Sequence, residues 1–199
     1  MVSYWDHRKP VQRQRAVDVA EIARASVALL DEGGPRALTL RAVAQRVGVA
    51  PASLYSRVRS VDDLYDLALD FALADDSVMQ QAVSDATLTD LMMAFFRHLV
   101  SHHWAGQVIG MRAPRGPAYV RLSERMCVLL EQAGVEDPLG VSYRLSNLVI
   151  GSALTAPMAA SEKTASIDAA QAPTYARLHR EHHISPESIL ADGIKALLP

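Results

Sequence analysis

The apolar positions of this chain repeat at helical spacing along nearly its whole length, and no segment alternates as a half-buried strand would. Val19, Ala23, Val27 and Leu30 recur at steps of four, four and three and mark the buried face of a first helix. Gly33-Gly34-Pro35 ends it, because glycine accepts the left-handed cap and proline cannot continue a helix. Thr39 stands as an N-cap before Leu40, Val43, Ala44 and Val47, a short second helix. Gly48 interrupts, and Pro51 suits the first turn of a short third helix. Ser60 followed by Asp63 predicts a capping-box start to a longer fourth helix through Leu64, Leu67, Ala68 and Phe71.

The pattern continues beyond residue 80. Thr87 and Asp90 open a helix with Leu91, Phe95, His98 and His102 on one face, and a shorter piece spans Trp104 to Met111. Pro114, Gly116 and Pro117 break the chain before a helix marked by Leu122, Met126, Leu129 and Ala133, which ends near Gly134. Asp137-Pro138 begins a long helix to about Ala160. Residues 161–174, rich in Ser, Ala and Thr, read as a mobile connection. A short helix over Thr174 to His182 and a final one from Ser185-Pro186-Glu187 through Leu190, Ile194 and Leu197 complete an all-α fold.

Composition narrows the class. Of 199 residues, half are apolar and 21% charged, which excludes a disordered chain. The single cysteine, Cys127, cannot form an internal disulfide, and no Cys-x-x-Cys pair is present for zinc. No apolar run reaches the roughly 18 residues of a membrane span, and the polar start lacks the apolar stretch of a signal peptide. A soluble cytoplasmic protein without membrane partners is expected. The charge is uneven: residues 1–60 hold ten basic and five acidic side chains, a balance of +5, so the remainder of a chain of net −2 carries −7. A basic first third points toward a polyanion.

Within that third, residues 38–59 read LTLRAVAQRVGVAPASLYSRVR, two short helices joined by Gly48-Val49-Ala50. Gly48 can take the positive φ of the sharp turn. Val43, Ala44, Val47, Val49, Leu54 and Val58 can pack inward, leaving Arg41, Pro51, Ala52, Ser53, Tyr55, Ser56 and Arg57 outward. A helix-turn-helix lays its second helix in the major groove of DNA while the first crosses the backbone. A helical hairpin inside an ordinary bundle is the alternative, but it leaves unexplained why residues 33–61 contain no acid.

The segment from about Arg15 to Leu73 resembles the N-terminal domain of the TetR family of transcriptional regulators. The matching residues are Ala20 and Ala23 through Leu30, Gly33-Gly34, Leu38-Thr39-Leu40-Arg41, Ala44-Gln45-Arg46-Val47-Gly48-Val49, Leu54-Tyr55 and Asp63-Leu64. Val58 and the stretch Ser188 to Leu198 look most like the tetracycline-repressor branch, and Ser101 to Leu122 more weakly so. The resemblance implies a flexible arm (1–14), a helix-turn-helix domain (15–60) and a body for ligand binding and dimerisation (61–199). It places Thr39, Arg41, Pro51, Ala52, Ser53, Tyr55 and Arg57 at DNA-contacting positions. Ser56 lies on the same outward face. Val61 falls where the family usually has a phosphate-binding lysine, so that contact is absent or moved to Arg59. Ala50 replaces a common capping Ser or Thr, at a cost of about 1 kcal/mol.

The implied function is a ligand-released repressor that binds a palindromic operator in double-stranded DNA as a homodimer, without catalysis or cofactor. Small residues such as Gly151 and Ala156, together with Leu190, Ile194 and Leu197, are candidates for a dimer contact. Phe95, His98, His102, Trp104, Met111, Met126 and Tyr143 are candidates for an apolar effector pocket, where methionine adapts to irregular ligands. Tyr4 and Trp5 could anchor the arm, whose Arg8, Lys9, Arg13 and Arg15 could touch DNA. His98 and His102 have a spacing compatible with metal, which keeps a helical metalloenzyme with His103 as an alternative. No sequence-adjacent carboxylate completes such a site. In the tetracycline-repressor branch a metal-coordinating histidine falls near Ile109, and isoleucine cannot ligate magnesium, so no metal is expected. An interaction module that has lost DNA binding is the third reading, suggested by Val61.

Overall fold

Capping side chains open half of the α-helices in the computed structural model, which describes residues 2–8, 17–182 and 185–198. Asp18 accepts the Ala20 amide at 3.0 Å to open α1 (Val19–Gly33). Thr39 accepts the Ala42 amide at 3.0 Å to open α2 (Leu40–Val47). Pro51 occupies the first turn of α3 (Pro51–Leu54), whose Ala50 offers no cap. α4 (Val61–Asp75) runs out of this head into the body. There follow α5 (Ser77–Asp85), α6 (Leu88–Ser101), α7 (His103–Met111), α8 (Pro117–Gln132) and α9 (Pro138–Thr155). A 3-10 turn (Ala156–Met158), α10 (Ala159–Lys163), α11 (Pro173–Glu181) and α12 (Pro186–Leu197) complete the order. No strand occurs among the described residues, so the fold is all-α.

α1 packs on both α2 and α4, while α9 is enclosed by α6, α8 and α12. Two partners widen the buried arc of α1: Ile22, Ala23, Ala25, Ser26 and Leu30 are buried, and the expected Val19 and Val27 are only half-buried. Ser26 tolerates burial because its hydroxyl donates to the Ile22 carbonyl at 2.8 Å.

Four expectations need correction. Ser60 makes no side-chain cap. Asp63, its expected capping-box partner, instead accepts the Arg59 amide at 2.6 Å and meets His7 Nε2 at 2.9 Å. α5 was not expected at all. The long helix to residue 160 breaks at the 3-10 turn, where Pro157 removes an amide donor. The irregular connection is shorter than 161–174, since α10 reaches Lys163 and α11 starts at Pro173.

The chain start also differs. Ser3 caps a 3-10 turn over Tyr4–Asp6, and Tyr4 is only 2% exposed. Residues 3–7 are thus docked on α4 rather than forming an arm. The basic positions Lys9, Arg13 and Arg15 lie outside the described residues.

α4 carries Asp62, Asp66 and Asp70 at spacing four, which puts three acids in one row. The buried Asp66 receives Arg112 Nε at 2.8 Å and its terminal nitrogen at 3.0 Å. Arg112 also reaches Asp62 at 2.9 Å. Burial pushes the Asp70 carboxyl above the usual range, moderated by hydrogen bonds from the Ala118 and Tyr119 amides and the charge of Arg121. Gly116, the N-cap of α8, lies so close to Asp70 that a Cβ would collide with it. The connection between α7 and α8 is therefore gripped by α4 on both sides. Removing one partner of a buried ion pair strands the other. Arg112→Ala should cost about 3–5 kcal/mol in chemical denaturation.

A second joint links α6 to the start of α5. His98 Nδ1 donates to Asp76 at 2.9 Å. Burial holds the His98 imidazole below its ordinary pKa of 6.5, outweighing the neighbouring Asp76 carboxylate. Asp76 is also buried in part, but amides of Met79 and Val78 and the His98 ring hold it below the usual carboxylate range. Both shifts have the same sign. A group with a depressed folded pKa stabilises the fold above its unfolded pKa and loses that contribution as pH falls. The melting temperature should fall between pH 7 and pH 5, and His98→Gln should flatten that dependence.

Candidate nucleic-acid interface and effector cavity

α2 and α3 form their angle because their inner residues have no alternative place. Val43, Ala44, Leu54 and Val58 are fully buried. Gly48 sits at φ 77°, ψ 30°, and the Val49 amide returns to the Ala44 carbonyl at 3.0 Å. This is the left-handed closure that glycine makes without strain. Outward from that scaffold stand Thr39, Arg41, Pro51, Ala52, Ser53, Tyr55, Ser56 and Arg59, all exposed, with Tyr55 at 58%. The Ser56 hydroxyl is engaged with the Ser53 carbonyl at 2.7 Å.

Arg57 differs from the expectation of an outward arginine. It is half-buried, and its Nε donates to the Val17 carbonyl at 3.0 Å. That bond ties the end of the α3 turn to the start of α1. Arg46 is turned aside into a bidentate pair with Glu32 at 2.8 and 2.6 Å. Arg36, Arg41 and Arg59 remain exposed around the acid-free surface.

In the body, a cavity of about 410 Å³ lies among α7, α8, α9 and the residue 112–116 connection. Met126 and Tyr143 line it, with Tyr143 64% exposed at the rim. Tyr119, another aromatic that the sequence offers for the body, lines it too, as do Ile109, Arg115, Cys127 and Asn147. The readable signal was two facing stripes: Tyr119, Ser123, Met126 and Cys127 on α8, and Leu139, Tyr143, Asn147 and Ile150 on α9. Phe95 lies behind the cavity wall, edge-on to Tyr119 at 6.1 Å. Burial, with a smaller push from Tyr143, raises Tyr119 to about 12, so its hydroxyl stays neutral and able to donate.

The other expected pocket residues are elsewhere. Met111 lines a separate hollow with Ser3, Asp6, Arg112 and Arg115. His98 is the joint to Asp76 described above. His102 Nδ1 and Trp104 Nε1 both meet Asp31 on α1, at 2.8 and 2.7 Å. The carboxylates missing near the histidines in the sequence are thus supplied by α1 and by the start of α5. Asp31 fastens head to body, and Asp76 ties α5 to α6 within the body. Among the described residues no group of three or more His, Cys, Asp or Glu is gathered as for a metal ion.

Of the expected dimer residues, Leu190 and Ile194 are fully buried within the chain, and Leu197 and Ala156 are half-buried. α12 turns Leu190 and Ile194 inward onto α9 and α6, which corrects their placement at an outer contact. Gly151 faces open space, and Leu154, Met158 and Ile189 are the exposed apolar residues nearby.

The described residues thus form a helix-turn-helix head joined to a cavity-bearing helical body. Residues 22–67 match the family described as bacterial regulatory proteins, tetR family. That match spans the head, from α1 to the first half of α4. It is 36% identical over 138 residues to an HTH-type transcriptional regulator of Saccharopolyspora erythraea, covering 66% of this chain and 58% of that protein. It is 28% identical over 162 residues to the HTH-type transcriptional repressor DrrR1 of Streptomyces coeruleorubidus, covering 75% of this chain and 58% of that protein. The chain thus spans less than two thirds of the length of these curated relatives. Its fold matches the TetR family protein ActR of Streptomyces coelicolor, solved in complex with actinorhodin, with a TM-score of 0.73 at 21% identity over 92% of this chain and 94% of that one.

The Asp31 joint yields a direct test. Trp104→Phe keeps an aromatic side chain but removes the hydrogen bond to a carboxylate and part of the buried volume, so stability should fall by at least about 1.5–3 kcal/mol in denaturant titration.

Proposed function

We propose that this chain is a DNA-binding transcriptional repressor that acts as a homodimer and is released by a small, largely apolar effector. The observation that carries the reading is the surface of α2 and α3. It is rigidly scaffolded, bears no acid from residue 33 to 61, and presents Thr39, Arg41, Ser53, Tyr55 and Arg59 outward. Arginine can read guanine edges or phosphates, and hydroxyls of Thr39 and Tyr55 can donate to phosphates. Arg57 contributes through its terminal nitrogens while its Nε holds Val17.

Two heads are needed to read a palindrome across one helical turn. Gly151, Leu154, Met158 and Ile189 are the surface for the second copy. The same outer side of α9 carries Tyr143 at the cavity rim, so a partner protomer would border the effector's entrance. The repressor role of DrrR1 and the actinorhodin in the ActR structure support the assignments of repression and ligand response.

The cavity falls within the usual size range of small-molecule sites. Its apolar walls suit a flat hydrocarbon or aromatic body, and Arg115, Asn147 and the Tyr119 hydroxyl suit polar groups on its edge. An effector that presses on residues 113–115 acts on the connection that α4 grips through Asp66 and Asp70. It shifts the population of α4 positions and with it the head.

The test is fluorescence anisotropy with a duplex taken from upstream of the chain's own coding region. Affinity should fall steeply with salt, and Arg41→Ala should lower it and reduce the logarithmic salt slope by about 1 without changing the melting temperature. Absence of binding, or binding insensitive to salt, would contradict the reading. For the cavity, the dye anilinonaphthalene sulfonate should fluoresce on binding, and the filling substitution Ser123→Phe should abolish the signal. Retained fluorescence would place the dye elsewhere.

A further inference from the structure

We infer that the N-terminal turn, Ser3 to His7, is a positioning element of the nucleic-acid interface, bracing the trailing end of the recognition helix and linking it to the wall of the effector cavity. This inference rests on the DNA-binding reading above.

The turn has two attachments, three residues apart along α4. At the first, His7 Nε2 meets Asp63 Oδ1 at 2.9 Å, and the other oxygen of the same carboxylate accepts the Arg59 amide at 2.6 Å. Asp63 is buried, so its orientation is decided by these two partners. His7 thereby acts through Asp63 on the backbone at Arg59, an exposed cation of the proposed DNA face. At the second, Asp66 Oδ2 accepts the Ser3 hydroxyl at 3.0 Å and the Tyr4 amide at 2.8 Å. It shares its carboxylate with Arg112, whose neighbours Ala113, Pro114 and Arg115 line the effector cavity.

The turn is organised well enough to transmit force. Ser3 and Asp6 form a reciprocal capping box, and the Tyr4 ring is buried edge-on to Trp5 and His7 at 5.2 and 5.8 Å. Its Ser3 and Tyr4 bonds share the Asp66 carboxylate with Arg112, so displacement of Arg112 can loosen the turn.

His7→Ala and His7→Gln separate positioning from folding. Glutamine places an amide N–H near the imidazole Nε2. Hydrogen exchange in the absence of DNA should be faster at the Arg59 amide in His7→Ala and recover in His7→Gln. In the anisotropy assay with the upstream duplex, His7→Ala should bind about fivefold more weakly, the loss of one ordinary hydrogen bond, and His7→Gln should recover most of it, with both variants still fully folded at the assay temperature. Arg112→Lys keeps the charge but not the fork, and it should speed exchange at the Tyr4 amide. Unchanged protection at Arg59 in His7→Ala, or an affinity loss that His7→Gln does not rescue, overturns the positioning role. Unchanged Tyr4 protection in Arg112→Lys overturns the link to the cavity. Failure of the wild-type chain to bind duplex at all overturns the DNA-binding reading and the proposed role in the interface with it.

Discussion

Asp66 is a buried carboxylate with more donors than any single helix could give it. Arg112 supplies a fork from the end of α7, while Ser3 and Tyr4 supply a hydroxyl and an amide from the chain start. A buried charge is tolerable only when paired and hydrogen-bonded. Each of these partners is therefore held in place by the cost of leaving Asp66 bare. Since α4 belongs to the head at one end and the body at the other, that carboxylate constrains how the two meet.

Around it, the same row of acids completes the arrangement. Asp62 takes the outer side of Arg112, and Asp70 caps α8 through the Ala118 amide, a cap that Gly116 cannot provide. A second set of contacts runs from the C-terminal half of α1, where Asp31 receives His102 and Trp104. Head and body share one continuous apolar core, and these polar contacts of defined direction are set into it. Contacts of that kind are what a ligand can bias when it favours another arrangement.

Much of this was readable in the sequence where local chemistry decides. The caps at Thr39, Thr87, Asp137 and Ser185, the left-handed Gly48 and the inward face of α2 and α3 depend on neighbours within four residues. Long-range pairing was hidden. Nothing near His98 or His102 announces Asp76 or Asp31, which lie 22 and 71 positions away. Histidines that read as pocket candidates thus proved to be fasteners. Arg57 read as outward from its helical position, yet the Val17 carbonyl captures it from forty residues away. Leu190 and Ile194 read equally well as an outer or an inner stripe, and α9 with α6 took them inward. The cavity was half legible, because Met126 and Tyr143 announce themselves while Ile109, Arg115 and Asn147 gain meaning only once α7, α8 and α9 converge.

The central claim is that the grip of α4 on Arg112 sets the orientation of the head relative to the body. Pulsed dipolar spectroscopy tests it most directly, with spin labels at Arg36→Cys in the head and Ala133→Cys in the body, in a Cys127→Ser background. Both label sites are exposed. With labelled protein diluted in unlabelled protein so that only distances within one protomer are read, the account predicts one narrow distance with Arg112 present and a shifted or broadened distribution in Arg112→Gln. The same narrow distance in both proteins would contradict it.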